Sequence, residues 1–254
     1  MVPAASARQS PSTFPDRTSS ENGFSDHVAR LLDRVDCRRV ETSEQREAVS
    51  RLRYQAYLRE GAISANSSGT FSDHYDESDN AHLFGLYIDG ELASSLRMHV
   101  GSREHPDFPS LHVFRDVLQP ELDAGKVLID TTRFVADEKL SRRYRGLAYV
   151  TVRLSWLAGG YFNAYSLAAV RAEHQAFYRR TFDHRLICEP RSYPQLAKPI
   201  CLMTTHYRTV EDKVHRRYPF LRSTYFERRM LFERCPLQPS AAAFVERDTA
   251  RLAG

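Results

Sequence analysis

The chain has 254 residues, 42% of them hydrophobic, so it is long enough for one large domain with a buried core. Its 36 basic and 32 acidic residues give a formal charge of +4, which is too mild to require nucleic acid as a partner. A basic start followed by an apolar run is lacking, and so is an uncharged stretch of membrane-spanning length. We therefore expect a cytoplasmic protein without a secretory signal or an integral membrane segment.

The cysteines are scattered along the chain without a C-x-x-C pair or a zinc-like spacing. We therefore expect reduced thiols and no metal site. The four residues are Cys37, Cys188, Cys201 and Cys235.

Composition divides the chain into a domain and two tails. Residues 1–24 are rich in Ser and Pro without an apolar period, which predicts a disordered N-terminal tail. Residues 236–254 carry Pro, Ala and Ser and are expected to be loosely held. The segment 25–235 is then a single domain.

The domain is predicted to open with two helices and a strand between them. A helical apolar spacing follows Ser25 or Asp26, either of which suits an N-cap, and a short strand is expected over 38–41. Thr42 and Gln45 form the pattern of a capping box and predict the start of the second helix.

A β-hairpin is the clearest local feature of the sequence. After a polar loop over 62–80, two apolar runs flank Asp89 and Gly90, a dipeptide that strongly favours a tight turn. Antiparallel strands are predicted over 82–88 and 91–100.

Helical and strand patterns alternate through the rest of the domain. The predicted elements are a helical or irregular stretch over 106–125, strands over 126–137 and 164–170, a long helix over 146–162, a short helix over 173–182, strands over 184–189 and 198–205, and helical structure over 206–235.

A basic turn precedes the long helix and suits a phosphate group. Backbone N–H groups at a helix start lack partners and lie at the positive end of the helix dipole, and arginines beside them add charge. Gly146 and Ala148 are expected to keep the approach open, while Arg142, Arg143 and Arg145 supply the charge. The alternative is a basic, solvated loop with a helix cap.

Arg143-x-x-Gly146-x-Ala148 resembles the pyrophosphate-binding loop of the GNAT superfamily of N-acyltransferases. The run AYSLAAVRAEHQAFYRRTF (164–182) resembles the strand and helix that follow that loop in the superfamily. Together with SYPQLAKPICLM (192–203), it is most similar to the long-chain N-acyl amino acid synthases, over about residues 40–210.

The resemblance implies an α/β (α+β) fold. Its mixed, mostly antiparallel central sheet would have helices on both faces and a splayed strand pair over 127–135 and 165–171. The pantetheine arm of an acyl thioester lies in that split in the superfamily.

Further motif positions resemble those of the autoinducer synthases, which make acyl-homoserine lactones. They are Arg53-Tyr54-x-x-Tyr57, Asp73-x-x-Asp76, Arg97 and Asp130-x-x-Arg133-Phe134. These synthases usually carry Glu at the place of Asp130 and Ser at that of Thr132, and their tryptophan after Tyr57 is absent. The departures favour an N-acyl amino acid synthase.

The resemblance and the needs of amide formation suggest catalytic groups. Asp130 is the first candidate to deprotonate the amine, directly or through a water, or else it forms a buried ion pair with Arg133 or Arg97. Asp130 and Arg133 lie three apart on a strand, which argues against a pair between them. The backbone N–H groups of Phe134 and Val135 would hold the oxyanion.

Tyr178 stands where many superfamily members keep a tyrosine that protonates the leaving thiolate, although core packing is the alternative. For the acceptor, Asp73 and Asp76 would fix the ammonium or orient Arg53 and Arg97, with Asp76 also a catalytic candidate. Solvated loop acids are the alternative. Arg97 and Arg133 would face the acceptor, and Arg97 would clamp its carboxylate.

The resemblance implies direct transfer of a medium or long acyl chain from a phosphopantetheine thioester, by preference on acyl carrier protein, to the α-amine of an amino acid. No covalent-nucleophile pattern is present, and no permanently bound cofactor is expected. An arginine rim would dock acidic acyl carrier protein, although coenzyme A phosphates would also satisfy it; the rim comprises Arg142, Arg143, Arg145, Arg179 and Arg180. The alternatives are an acyl-homoserine lactone synthase using S-adenosylmethionine and a non-catalytic acyl-thioester or lipid-binding adaptor.

Overall fold

A computed structural model describes residues 17–193 and 198–233 of the chain. Helices alternate with strands along these residues. In chain order they form α1 (Arg17–Leu32), β1 (Val35–Arg39), α2 (Ser43–Arg59), a 3-10 helix (His74–Glu77), β2 (Ala81–Ile88), β3 (Glu91–Gly101), α3 (Pro109–Val113), α4 (Arg115–Asp123), β4 (Leu128–Ala136), α5 (Glu138–Arg143), α6 (Leu147–Phe162), β5 (Tyr165–Val170), a 3-10 helix (Ala172–His174), α7 (Gln175–Phe182), β6 (Arg185–Arg191), β7 (Ile200–His206), α8 (Tyr207–Arg217), a 3-10 helix (Pro219–Leu221) and α9 (Tyr225–Phe232).

One seven-stranded sheet organises these elements, in the order β1-β2-β3-β4-β5-β7-β6. All neighbours are antiparallel except β4 and β5, which are parallel. Their pairing runs from Leu128 opposite Tyr165 to Thr131 opposite Ala168 and then stops. Both strands continue beyond that point, so the sheet splits there, and the expected fold class with its splayed strand pair is confirmed.

The sheet separates two layers of apolar packing. Neighbouring residues of a strand project to opposite faces, and Leu128 and Ile129 accordingly belong to different buried clusters. Ile129 packs in the large cluster with α1, α6, α8 and α9. Leu128 packs in the smaller cluster with α3 and α4. Helices therefore cover both faces, as expected.

Local patterns predicted the hairpin and the second helix well. Asp89 and Gly90 have φ angles of 53° and 87°, the left-handed values that a tight hairpin turn requires. Thr42 and Gln45 form a reciprocal capping box at the start of α2. Both elements agree with the sequence prediction to within two residues.

The start of the domain differs from the prediction. Helix α1 begins at Arg17 rather than at Ser25 or Asp26, and Phe24 anchors it, with its ring 4.9 Å from that of Tyr149. The predicted tail over 1–24 therefore overlaps this helix. Residues 1–16 and the predicted C-terminal tail over 236–254 lie outside the described residues.

The first strand is also shifted, to Val35–Arg39 instead of 38–41. Val35 continues the helical apolar spacing in the sequence, but in the structure it pairs with Ile88 on β2. Sheet pairing overrides the local period there. The turn before the long helix contains α5, which the sequence did not predict.

None of the helices in the described parts of the chain has the length and apolarity needed to span a bilayer. Three cysteines in those parts are free thiols: Cys37, Cys188 and Cys201.

Candidate active site

The split between β4 and β5 leaves strand edges without a ladder partner. Beyond Thr131 and Ala168, the backbone groups of each strand that face the other have no strand opposite them. On its other side, β4 carries a bulge against β3, and Arg133 in this bulge has a φ of 53°, a strained value for a residue with a side chain. Our predicted oxyanion donors, the backbone N–H groups of Phe134 and Val135, lie next to that bulge. The N–H of Val135 faces Ser95 on β3, so of the two only Phe134 can donate into the split.

Beside the split lies a cluster of five charged side chains that we call the charge cluster: Arg53, Asp73, Asp76, Arg97 and Arg133. Asp76 accepts two hydrogen bonds from Arg53 Nη1, at 2.9 and 2.7 Å, and one from Arg97 at 2.9 Å. Asp73 accepts from Arg97, and it accepts from Arg133 Nη2 at 2.5 Å. The sequence-predicted acceptor residues therefore come together as one network.

Burial makes this network unusual. Arg53 and Arg97 are each 1% exposed, so Arg97 is not an ordinary exposed strand residue. Arg133 is sandwiched near the rings of Phe71 and Tyr57, at 4.7 and 5.7 Å. Buried arginines of this kind are held by their carboxylates and rings rather than by water.

The backbone places the two aspartates. Asp73 caps the 3-10 helix over His74–Glu77: its carboxylate accepts from the N–H of Tyr75 at 3.1 Å, while Asp76 accepts from the N–H of Asp73 at 3.4 Å. Part of the predicted polar loop is thus an ordered platform. Asp73 and Asp76 accept hydrogen bonds from the arginines, a contact that is compatible with the orienting role left open by the sequence.

Electrostatics keeps both aspartates ionised. Burial raises the pKa of Asp73, but hydrogen bonds and charge from Arg97 and Arg133 outweigh it and hold the pKa well below its usual range. At Asp76, burial raises the pKa, but Arg53 and Arg97 lower it by more, so this pKa is also below its usual value. A carboxylate with a lowered pKa is a weak base. The geometry therefore favours a positioning role for Asp76 over the predicted catalytic one.

Asp130 lies deeper than the sequence suggested. It is fully buried, and its carboxylate accepts from the backbone N–H of Ser110 at 2.9 Å and from the Ser110 hydroxyl at 2.7 Å. Burial raises its pKa, although Ser110 lowers it in part. Arg97 and Arg133 instead form ion pairs with the aspartates of the charge cluster. Since Ser110 occupies the carboxylate, the structure favours an indirect role over direct contact with the amine.

Sequence reasoning missed other polar residues on this side of β4. His99 lies opposite Asp130 in the strand register, and its Nε2 is 3.0 Å from the carbonyl oxygen of Tyr75. Burial, with Arg97 next in effect, lowers the pKa of His99 to about 4. Tyr193 is close enough for Asp130 to raise its pKa further, after burial. Strand alternation from Arg97 would have indicated His99, whereas Ser110 and Tyr193 are distant in sequence.

A polar cavity of about 270 Å³ opens on the charge cluster. Acidic and hydroxyl side chains dominate its wall, which suits a cationic amine. It is lined by Arg46, Glu47, Ser50, Thr70, Ser72, Asp73, Asp76, Glu77 and Leu83.

Tyr178 lies on the opposite face of the sheet. It lines a small cavity together with Thr131, the last residue of β4 that pairs with β5, so it lies beside the vertex of the split. Burial raises the pKa of Tyr178 to about 12, which keeps the hydroxyl protonated at neutral pH. This protonation state suits the predicted acid role.

The basic turn before α6 differs from its predicted arrangement at Gly146. A Cβ atom on Gly146 would lie 3.1 Å from Val28 Cγ2 and 3.3 Å from Leu31 Cδ2, both on α1. Gly146 therefore permits close packing of two helices, and its Cα does not face an open phosphate site as predicted. Ala148 follows in the first turn of α6, where amides lack intrahelical acceptors and Gly146 provides no side-chain cap.

The predicted arginine rim is exposed in the structure, and one of its members connects α7 to α6. Arg180 on α7 donates to the Tyr149 hydroxyl of α6 at 3.3 Å. Arg142 pairs with Glu138 in the same helix at 2.6 Å. All five members are exposed: Arg142, Arg143, Arg145, Arg179 and Arg180.

Comparison with known proteins adds a family. The model of the FeeM family, described as N-acyl amino acid synthase FeeM, matches residues 48–206, more than half of the chain. A search of curated proteins finds no match.

A solved structure shares the fold, and others show weaker similarity. The chain is similar to FeeM, an N-acyl amino acid synthase from uncultured soil microbes, with 18% identity and a TM-score of 0.56 over 69% of this chain and 92% of that one. An acyl-CoA N-acyltransferase from Pseudomonas aeruginosa matches with 19% identity and a TM-score of 0.46, over 67% and 97%. The CoA-dependent acyl-homoserine lactone synthase BjaI, with SAM and isopentyl-CoA, matches with 13% identity and a TM-score of 0.43, over 68% and 81%.

Proposed function

Because the chain belongs to the FeeM family of N-acyl amino acid synthases and is an acyltransferase, we propose that it acylates the α-amine of an amino acid. The donor is a medium or long acyl thioester, carried by preference on acyl carrier protein. The split between β4 and β5 carries this proposal, because it offers an extended pantetheine arm two strand edges with unused backbone groups.

The donor enters from the arginine rim. Acyl carrier protein is acidic, so an exposed set of arginines attracts it and orients its arm towards the split. The phosphate of the arm is expected near the first turn of α6, where the amides lack intrahelical acceptors. Coenzyme A would use the same features, and kinetics with both donors separates them.

Transfer requires a bond from the amine nitrogen to the thioester carbon and release of the thiolate. The acceptor's ammonium first loses a proton to solvent. The neutral amine then attacks directly, and the backbone N–H of Phe134 donates to the oxyanion that forms. The C–S bond then breaks, the nitrogen loses its second proton to a water molecule, and Tyr178 donates its hydroxyl proton to the sulfur. Solvent reprotonates Tyr178, so the products are an amide and a free thiol.

The acceptor binds at the charge cluster. Its ammonium is attracted to Asp73 and Asp76 in the acidic cavity, while Arg133, the least buried of the three arginines, is the candidate for its carboxylate. Arg53 and Arg97 hold the aspartates from behind. Their fixed geometry would supply orientation rather than acid–base chemistry.

Product mass tests the proposal. Purified protein is incubated with long-chain acyl carrier protein, a pool of amino acids and S-adenosylmethionine, and the products are identified by mass spectrometry. An N-acyl amino acid is the expected product. An acyl-homoserine lactone would replace the proposed acceptor, and intact donor binding without any product would indicate an adaptor.

Tyr178→Phe tests the acid. Loss of the hydroxyl is expected to lower kcat by roughly a hundredfold while donor affinity changes little. Tyr161→Phe, which removes a hydroxyl from the far end of α6, is the matched control and should retain the wild-type rate. Normal turnover by Tyr178→Phe would remove this tyrosine from the mechanism.

A further inference from the structure

A small niche lies behind the vertex of the split, on the Tyr178 side of the sheet. Helices α6 and α7 close it, and its centre has room for about one water-sized group. Its apolar wall consists of Val152, Trp156, Leu167 and Phe182, and its polar wall of Thr131, Ser155, Ser166, Tyr178 and His184.

The three small hydroxyl side chains of the niche satisfy one another. Thr131 Oγ1 lies 2.7 Å from Ser155 Oγ, which lies 3.3 Å from Ser166 Oγ. They form a short chain of hydrogen bonds that begins at the last paired residue of β4. The polar groups of the niche that still lack a hydrogen-bond partner are therefore among its other members.

His184 is the member without a strong partner. It is 3% exposed, and neither ring nitrogen makes a hydrogen bond of ordinary geometry with the described residues, although the Ser166 backbone has a weak influence on the ring. Burial lowers the pKa of His184 to about 3, so the ring is neutral at physiological pH. A neutral imidazole offers one donor and one acceptor. A buried group of this kind favours a partner that can both donate and accept a hydrogen bond.

The position of the niche indicates which ligand could reach it. Tyr178 belongs to its wall and, in the proposed function, donates to the thioester sulfur. A substituent on the acyl chain close to the thioester would therefore lie beside His184. A hydroxyl group is about the size of one water and both donates and accepts, whereas a plain methylene would bury His184 without a partner.

We propose that the niche binds a hydroxyl group on the β-carbon of the donor chain, so that the enzyme prefers 3-hydroxyacyl donors over unsubstituted ones. This inference rests on the proposed function, because it takes the donor arm to lie in the split. His184 then selects the donor, and the hydroxyls of Ser166 and Ser155 complete its surroundings.

Donor competition tests the proposal in the wild-type protein. Unsubstituted, 3-hydroxy and 3-oxo acyl chains of equal length are loaded on the same carrier, and kcat/KM is measured for each. We expect the 3-hydroxy donor to exceed the unsubstituted one by about tenfold or more, because a site that pairs a hydroxyl rejects the analogue lacking it. Equal use of the two, or preference for the 3-oxo chain, would overturn the assignment.

A variant pair locates the preference. His184→Phe removes both nitrogens and should reduce the ratio between 3-hydroxy and unsubstituted donors to about one. His82→Phe, another buried histidine replaced by an apolar ring among Phe162 and Phe232, should retain the wild-type ratio. A ratio unchanged in His184→Phe would overturn the role of His184. Should this variant fail to fold, Ser166→Ala, expected to lower the same ratio, replaces it.

The two proposals fail in different ways. Absence of amide product from every donor would contradict the proposed function. Amide formation without a preference for the hydroxyl would contradict the niche assignment alone and leave a bound water as its occupant.

Discussion

Two sets of arginines flank the split, and the comparison between them separates positioning from recognition. In the charge cluster, Arg53 and Arg97 are each 1% exposed and bound to aspartates. In the rim, Arg142 has a side chain 79% exposed, and its partner is an acid of its own helix. The same side chain is thus held between buried carboxylates in one region and open to solvent in the other.

The difference follows from the surroundings of each guanidinium. Removing an arginine from water costs free energy that only close carboxylates offset, so a buried set has one allowed arrangement. An exposed set keeps its water and acts through long-range charge that salt screens. We therefore expect changes in the cluster to alter stability and geometry, and changes in the rim to alter association with the donor.

Asp76→Asn should have the largest effect. It removes the carboxylate shared by Arg53 and Arg97 and leaves buried positive charge uncompensated, at a cost of about 3–5 kcal/mol of unfolding free energy. Urea unfolding measures this cost. Asp36→Asn, which breaks an exposed pair with Arg38, is the control and should leave the midpoint nearly unchanged. Equal effects of the two changes would mean that the cluster is not a fixed network.

Ser110→Ala extends the comparison to Asp130. Loss of a hydrogen bond to a buried carboxylate should cost about 2 kcal/mol in the same assay and lower kcat if Asp130 positions the site. Ser94→Ala removes a neutral buried hydroxyl pair with Thr151 and should cost about 1 kcal/mol without an effect on kcat. Unchanged kcat in Ser110→Ala would restrict Asp130 to a structural role.

The pH dependence of stability distinguishes the buried His99 from the aspartates of the charge cluster. His99 has a folded pKa of about 4, below the ordinary 6.5, so the unfolded chain binds its proton first and stability is lost as the pH falls from 6.5 towards 4. Asp73 and Asp76 have lowered pKa values in the folded protein. Their contribution to the free energy of unfolding therefore persists until the pH falls below 3.8, the ordinary pKa of an aspartate. His99→Phe should therefore reduce the slope of the unfolding free energy against pH between pH 6.5 and 4, by an amount that corresponds to up to about one bound proton. An unchanged slope would contradict the burial of a neutral ring.

The rim should have the smallest effect on the fold. Arg143→Glu combined with Arg145→Glu is expected to leave thermal unfolding unchanged and to raise KM for acyl carrier protein about tenfold at low salt. The difference should shrink in high salt. Arg115→Glu, an exposed change at the start of α4, is the control. A salt-independent rise in KM would argue against electrostatic docking.

Local sequence signals predicted those parts of the molecule whose cause is local. The turn at Asp89 and Gly90 and the capping box at Thr42 each depend on a few neighbouring residues, and both agree with the structure. The members of the charge cluster came from family resemblance. The same resemblance offered, as one alternative, that the aspartates orient Arg53 and Arg97. The burial of these pairs was not predicted, because Asp73 and Arg97 meet across 24 residues of chain.

The remaining features depend on contacts between distant segments. Gly146 packs against Val28 of α1. The polar composition of the first residues of α1 concealed the early start of this helix. Asp130 is held by Ser110 from α3, and His184 joins a niche built from four elements. A single sequence does not encode these neighbours in any local period, so the acid–base assignment is the part that the structure changed most.

The central claim is that the donor arm lies in the split between β4 and β5. A crystal structure with an inert pantetheine thioether analogue of the donor tests it most directly. We expect the arm between residues 132–136 of β4 and 169–170 of β5, with its sulfur near the Tyr178 hydroxyl. An arm bound elsewhere, or a sulfur remote from Tyr178, would contradict it.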